Sequence, residues 1–311
     1  MRIAIMGSGA VGGYFGALLS RAGEEVAFIA RGAHLNAMRE RGLRLEGLRG
    51  DFTVTARATD VPAEIGAVDV VLFCVKQYDA DSAAQLVAPL IGDGGVCISL
   101  MNGVDGQDRI ARVLGADRVL GGLAFVSGVL ERPGLIRYGT DMSSIVFGEA
   151  DGRASDRLSR FRAACLAAGF SAEISPDIRA AQWQKFVGLV TNTALTALTR
   201  QPAGYVYHDP DMLPIAQAAI GEAVAVARAM KVAIPDDMAQ RTLALLQKFP
   251  PDMYASMAND LLRGRRLELE SLSGYVVRKG RELGVPTPVH AMAYACLKPY
   301  VEGHNGVCVG A

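Results

Sequence analysis

Two groups of residues in this chain have the types and spacing to do chemistry. The first stands near the start, where Gly7, Gly9 and Gly12 fall in the register G-x-G-x-x-G with Ser8, Ala10 and Val11 between them. Such a loop suits a diphosphate. The first glycine permits a tight turn, the second lets a pyrophosphate approach the backbone, and the third lets the following helix pack closely on the preceding strand. The helix N-terminus then offers unpaired N–H groups and the positive end of a dipole. The second group lies far down the chain. Lys185 sits in Trp183-Gln184-Lys185-Phe186-Val187, and Glu268 between Leu267 and Leu269. A lysine in such company is either snorkelling to the surface or held in a partly desolvated cleft, where its pKa falls and it becomes a proton donor near neutrality. Glu268 either faces that cleft and holds the lysine in place or is half of a solvated pair with Arg265 or Arg266.

The elements that must position these groups follow from the apolar pattern. Ile3 to Met6 is a short apolar run of the kind buried on both faces of a parallel sheet, and the glycine loop leads from it into a helix carrying Tyr14, Leu18 and Leu19. A second apolar run, Val26 to Ala30, ends at Arg31. An acidic residue there would accept a bond from an adenine ribose 2′-hydroxyl; a guanidinium pairs instead with a 2′-phosphate, which selects NADP(H). The alternative is that Arg31 covers a helix start or pairs with a carboxylate. Further strands, Asp69 to Val75 and Val96 to Leu100, end at Lys76 and at Asn102-Gly103. Ligands of an open α/β sheet bind outside that carboxyl edge. Lys76 there meets a cofactor phosphate, a ribose or a substrate carboxylate, or is a plain surface lysine. Asn102 donates to a carbonyl or holds a ribose, or simply makes a turn.

Short strands are expected at Leu43 to Glu46 and Phe52 to Thr55, and antiparallel segments between Leu123 and Phe147 are expected to close one edge of the sheet. A helix from Asp156 and a last strand, Phe170 to Ile174, lead to Ser175-Pro176. No strand pattern follows. The chain thus reads as an α/β domain over residues 1–175, a Rossmann-type doubly wound sheet that binds NADP(H), followed by an all-helical substrate and catalytic domain over 176–311, with a cleft between them. Six helices are expected, from Asp177, Met212, Pro235, Asp252, Leu267 and Thr287. At about 100° per residue, Gly188, Leu189 and Asn192 share the helix face of Lys185, which makes Asn192 a second polar group for a substrate and Thr193 its neighbour. Ser256 lies on the helix before Glu268.

Composition excludes several classes. The 311 residues are 50% apolar, with 32 basic against 32 acidic side chains and neither a basic block nor an aromatic-interleaved basic stripe. No nucleic acid or membrane surface is expected as a partner. The first strand begins at once, which argues against a signal peptide, and no apolar run looks long enough to cross a bilayer. Five scattered cysteines without C-x-x-C spacing read as reduced thiols of a cytoplasmic protein, four of them as small core residues: Cys74, Cys97, Cys165 and Cys296. Four histidines share no ligand spacing, so no metal is expected. The apolar C-terminal helices are compatible with a homodimer.

Taken together, the glycine loop from Gly7 to Gly12, Ile29-Ala30-Arg31, Val75-Lys76, Asn102-Gly103, Trp183-Gln184-Lys185 and the stretch from Ser256-Met257 through Glu268 to Gly274 make the chain resemble the ketopantoate reductase family, the NADPH-dependent 2-dehydropantoate 2-reductases, over nearly its whole length. The resemblance implies hydride transfer to the keto carbon of a small-molecule 2-oxo acid, with Lys185 protonating the new alkoxide and Glu268 orienting lysine and substrate. It further implies contacts of Asn102 and Ser256 with the substrate, Arg31 on the 2′-phosphate, and Lys76 near cofactor and substrate. One departure bears on the substrate. The family often has asparagines four and eight residues after the lysine that hold the hydroxyls of ketopantoate, and here those positions are Leu189 and Thr193. This keeps open a dehydrogenase for another 2-hydroxy acid and, from a different class, an idle NADP(H)-binding sensor.

Overall fold

The first elements in chain order are β1 (Arg2–Met6), α1 (Ala10–Arg21), β2 (Glu25–Ile29), α2 (Gly32–Arg41), β3 (Leu43–Gly47), β4 (Phe52–Val54), β5 (Arg57–Thr59), β6 (Val68–Phe73), α3 (Ala80–Val87), β7 (Ile91–Ser99) and α4 (Gly106–Leu114). Two 14-residue strands follow, β8 (Val119–Arg132) and β9 (Leu135–Gly148), then α5 (Asp156–Ala167) and β10 (Ser171–Ile174). This computed structural model describes residues 1–303; His304 and Cys308 lie outside the described residues. The chain divides into two compact units, Met1–Arg179 and a second starting at Ala180.

In the first unit, β1 is flanked by two parallel partners, β2 and β6. Its alternation therefore feeds two cores. Ile3 and Ile5 pack with Phe15 and Leu19 of α1, while Ala4 and Met6 pack with Ala80, Ala84 and Val87 of α3. Burial of both faces is why the strand reads as an unbroken apolar run. The ten strands form one sheet in the order β4-β3-β9-β8-β7-β6-β1-β2-β5, with β10 also on β9. The antiparallel segments expected to close an edge instead lie in the interior, as β8 and β9. The reason is β3: it returns across the sheet and pairs in parallel with Leu135–Tyr138 of β9, carrying β4 beyond it to the edge. The other end of β9, Ser144–Phe147, is taken by β10. At the opposite edge β5, only three residues long, escapes any periodicity reading.

The second unit is helical: α6 (Ile178–Thr199, which begins two residues before it), α7 (Ala203–His208), α8 (Met212–Ala229), α9 (Met238–Leu246), α10 (Ser256–Leu262), α11 (Ser273–Leu283) and α12 (Pro288–Leu297). Helix α7 was not foreseen, and the helix expected from Asp252 begins only at Ser256. The Met253 and Pro251 carbonyls are used instead to accept the first N–H groups of α7, from Ala203 and Gly204, each at 2.9 Å. The helix expected from Leu267 is interrupted at Leu272 (φ −109°, ψ −106°), leaving a 3-10 turn over Leu269–Ser271 before α11.

Helices α8 and α12 each correct one expectation. The 18 residues of α8 are apolar enough, by length and composition, to cross a membrane, contrary to the sequence reading. The apolarity has a local explanation, because α8 packs against α7, α9, α11 and α12. It also carries the buried Glu222, which accepts the N–H groups of Val289 (2.8 Å) and His290 (3.0 Å) in the first turn of α12. His290 is fully buried; its Nε2 meets the Ala219 carbonyl at 3.1 Å, and burial lowers its imidazole to about 4, so it stays neutral. Glu222→Ala strands two donors at a helix start, an expected loss of about 2–3 kcal/mol. Calorimetry should show Tm falling by roughly 5 to 10 °C. The other correction concerns Cys296 of α12, which is exposed rather than a core residue.

Candidate active site

The glycine loop is shaped as its register requires. Gly7 has φ +92°, and a Cβ there would lie 2.9 Å from the Val75 backbone nitrogen. A Cβ on Gly12 would come within 2.3 Å of the Gly7 carbonyl and 2.8 Å of Ile5, so α1 lies against β1 as closely as backbone allows. Gly9 differs. It is the N-cap of α1, and a Cβ there would meet no protein atom within 4 Å. The helix start is therefore open where a diphosphate would rest, and no side chain caps it. Ser8 is buried, its hydroxyl and N–H both donating to the Ile29 carbonyl at 3.0 and 3.2 Å. Behind the loop, burial pushes the Cys74 thiol up to about 12. These residues fit a bound dinucleotide.

Because β7, β6, β1 and β2 are neighbours in that order, their carboxyl ends bring Asn102, Lys76, the glycine loop and Arg31 to one edge of the sheet. Arg31 is exposed as the N-cap of α2 and makes no ion pair among the described residues. Asp60, which follows the β5 residue paired with Ile29, is engaged by Arg39. Lys76 and Asn102 are half-buried. Sequence reasoning passed over Gln77, which is 1% exposed. Its amide donates to the Asn102 carbonyl, and Arg109 donates to its backbone carbonyl at 2.8 Å while pairing with Asp81 at 2.8 Å. Gln77 thus ties the β6 end to the β7 end. A polar residue directly after a strand-end lysine was the only signal, and it does not distinguish a buried glutamine from a surface one.

In the second unit, Lys185 is half-buried on α6. Trp183 and Phe186 beside it are buried edge to face, centroids 5.3 Å apart, and Tyr275 of α11 packs on both rings at 6.2 Å. Desolvation lowers the Lys185 ammonium to about 8. Glu268 is only 7% exposed, and Arg265 and Arg266 pair with Asp260 and Glu302. Its segment leads directly into α11, the helix that stacks on Trp183 and Phe186. Ser256 is exposed at the first position of α10. Asn192 is 5% exposed, and its amide oxygen accepts the Tyr207 hydroxyl at 3.0 Å. The Thr193 hydroxyl is buried without a hydrogen-bond partner. Leu189, on the Lys185 face, is half-buried. No cluster of metal-ligating side chains occurs among the described residues.

Comparison with known proteins agrees with this layout. Residues 3–152 match the family model described as ketopantoate reductase PanE/ApbA, and residues 177–301 match its C-terminal counterpart. A 2-dehydropantoate 2-reductase of Archaeoglobus fulgidus is 32% identical over 93% of this chain and 94% of its own. The crystal structure of a PanE/ApbA family ketopantoate reductase from Ralstonia eutropha superposes with a TM-score of 0.90 at 34% identity, covering 96% of this chain and 98% of that one. D-mandelate dehydrogenase in complex with NADH and anilino(oxo)acetate shares the fold, with a TM-score of 0.87 at 21% identity over 96% of this chain and 98% of the other. The open glycine loop, the desolvated lysine and these matches lead to one assignment: the chain is an oxidoreductase fold of the ketopantoate reductase family, to which it belongs.

Proposed function

We propose that this protein uses NADPH to reduce a 2-oxo acid to its 2-hydroxy acid, with 2-dehydropantoate to pantoate as the leading reaction, a step of pantothenate biosynthesis in the cytoplasm. Residues 1–175 hold the cofactor and 176–311 supply the acid. The observation that carries this reading is Lys185, half-buried on α6 beside the buried Trp183 and Phe186, where desolvation lowers the ammonium to about 8 and brings it close enough to neutrality to give its proton up. Reduced nicotinamide supplies the hydride. Gly7 to Gly12 receive the diphosphate, Arg31 pairs with the 2′-phosphate, and Lys76 and Asn102 hold the reacting end at the strand edge. Lys185 donates its Nζ proton to the oxygen that becomes negative as the carbonyl is reduced, Glu268 orients that lysine, and Ser256 contacts the acid.

Because the acid is a lysine lowered to about 8, kcat/KM for reduction should be flat below that value and fall about tenfold per pH unit above it. The reverse oxidation needs the neutral amine, so it should rise about tenfold per pH unit below that value and level off above it. A pH profile without this opposed pair of limbs counts against Lys185 as the acid.

A second reading keeps the chemistry and changes the acid. Leu189 supplies no hydrogen bond, the Asn192 oxygen is held by Tyr207, and the Thr193 hydroxyl is buried, so this face of α6 offers little to the hydroxyl of ketopantoate. An apolar 2-oxo acid would lose nothing there. The comparison of kcat/KM for ketopantoate, 2-oxoisovalerate and phenylglyoxylate, with NADPH and with NADH, decides between them. Ketopantoate leading by orders of magnitude supports the first reading, and a hydroxyl-free acid leading supports the second.

A further inference from the structure

We propose that His34 is a positioning residue for the dinucleotide: its imidazole fixes the plane of the Ser8–Gly9 peptide and so aims the Gly9 N–H at the diphosphate. The inference rests on the reading of the glycine loop as the cofactor site. His34 lies in the first turn of α2, a half-buried side chain with both ring nitrogens engaged. Nδ1 meets the Gly134 N–H at 3.0 Å, at the turn between β8 and β9, and a backbone N–H can only donate. Nδ1 is therefore the acceptor, Nε2 carries the proton, and Nε2 donates to the Ser8 carbonyl at 2.8 Å. Burial lowers the imidazole pKa and keeps this neutral form, although the bond to Ser8 works the other way.

The consequence follows from peptide geometry. In a planar trans peptide the carbonyl and the next N–H point in opposite directions. With the Ser8 carbonyl drawn to His34, the Gly9 N–H is directed away from it, and among the described residues it has no backbone acceptor outside the helices and strands. Ser8 cannot swivel, since its N–H and hydroxyl are both tied to Ile29. Gly13 leaves room for this arrangement, because a Cβ there would stand 3.0 Å from the Ser8 carbonyl oxygen. The backbone cradle is thus pre-set by a side chain from the next helix, and a turn from the β8–β9 hairpin sets that side chain. A pre-oriented N–H costs no reorganisation when the anion arrives.

The test uses three substitutions in the full chain. His34→Gln places an amide N–H near the Nε2 position and keeps the donor to Ser8. His34→Asn is too short to reach Ser8 but keeps an acceptor for Gly134, and His34→Phe keeps neither. Binding is titrated with NADPH and with 2′-AMP, which carries the 2′-phosphate but no diphosphate. The proposal expects NADPH to bind about tenfold more weakly to the Asn and Phe variants, with 2′-AMP within twofold of wild type and the Gln variant within about threefold. It also expects KM for NADPH to rise while kcat holds. Unchanged NADPH affinity in the Asn and Phe variants, or equal losses of NADPH and 2′-AMP, would overturn it. A wild-type chain that binds 2′-AMP and NADPH with the same affinity would instead overturn the reading of the loop as a diphosphate site.

Discussion

Lys185→Ala should lower kcat for 2-oxo acid reduction by about a thousandfold while Kd for NADPH stays within about twofold. The magnitude is that of removing a positioned general acid, about 10² to 10⁴, together with the loss of a cation beside the developing oxyanion. The separation of the two readouts follows from the structure: Lys185 belongs to the helical unit, and the open glycine loop and Arg31 to the α/β unit. Lys185→Arg is a sharper control. It keeps the charge, but a guanidinium does not release a proton at these pH values, so activity should remain at least a hundredfold down. Retained turnover in either variant would remove Lys185 from the proton-transfer step.

The same lysine makes a stability prediction of opposite sign. Desolvation holds the folded-state pKa at about 8, below the ordinary lysine value of 10.5. For a group whose folded pKa is depressed, the folded state gains relative stability above the unfolded value and loses it as pH falls through the folded value. At pH 7 the charged ammonium is therefore a cost to the fold. Lys185→Met, similar in shape and without charge, should raise Tm by roughly 2 to 4 °C while destroying activity, the pattern of a residue retained for chemistry rather than for packing.

What the sequence made legible was whatever has a local cause. The G-x-G-x-x-G register was legible within a dozen residues, and Gly7 and Gly12 sit at the positive φ and the close helix–strand approach that their spacing implied. The strand ends at Arg31, Lys76 and Asn102 were equally readable, because a parallel sheet puts every carboxyl end on one side. The sheet order was not. The placement of β3 against β9 is a pairing between residues 44–47 and 135–138, and nothing in either segment names its partner. Gln77 and His34 went unread for the same reason, as each gains its meaning from a residue far away in sequence, Asn102 and Gly134. The apolarity of α8 misled in the other direction: a helix surrounded by four others in a core carries the same composition as one that crosses a bilayer.

Arg31→Asp should shift the preference between NADPH and NADH, taken as the ratio of kcat/KM values, by at least about a hundredfold toward NADH, or about 2.7 kcal/mol. The guanidinium stands exposed at the N-cap of α2, and among the described residues it makes no ion pair, while Asp60 at the neighbouring strand end pairs with Arg39. An unneutralised arginine at the end of β2 is available to a 2′-phosphate, and its replacement acts twice: attraction is lost, and a carboxylate now repels the phosphate while accepting a bond from a 2′-hydroxyl. Arg31→Ala separates these contributions. It should weaken NADPH by about tenfold and leave NADH unchanged. The salt dependence gives an independent check, because a partly exposed charge pair weakens as the screening length shortens. NADPH KM should rise with added salt in the wild type and respond little in Arg31→Ala. If all three proteins show the same NADPH to NADH ratio and the same salt response, the 2′-phosphate is bound elsewhere on this edge, and Arg31 serves only the start of α2.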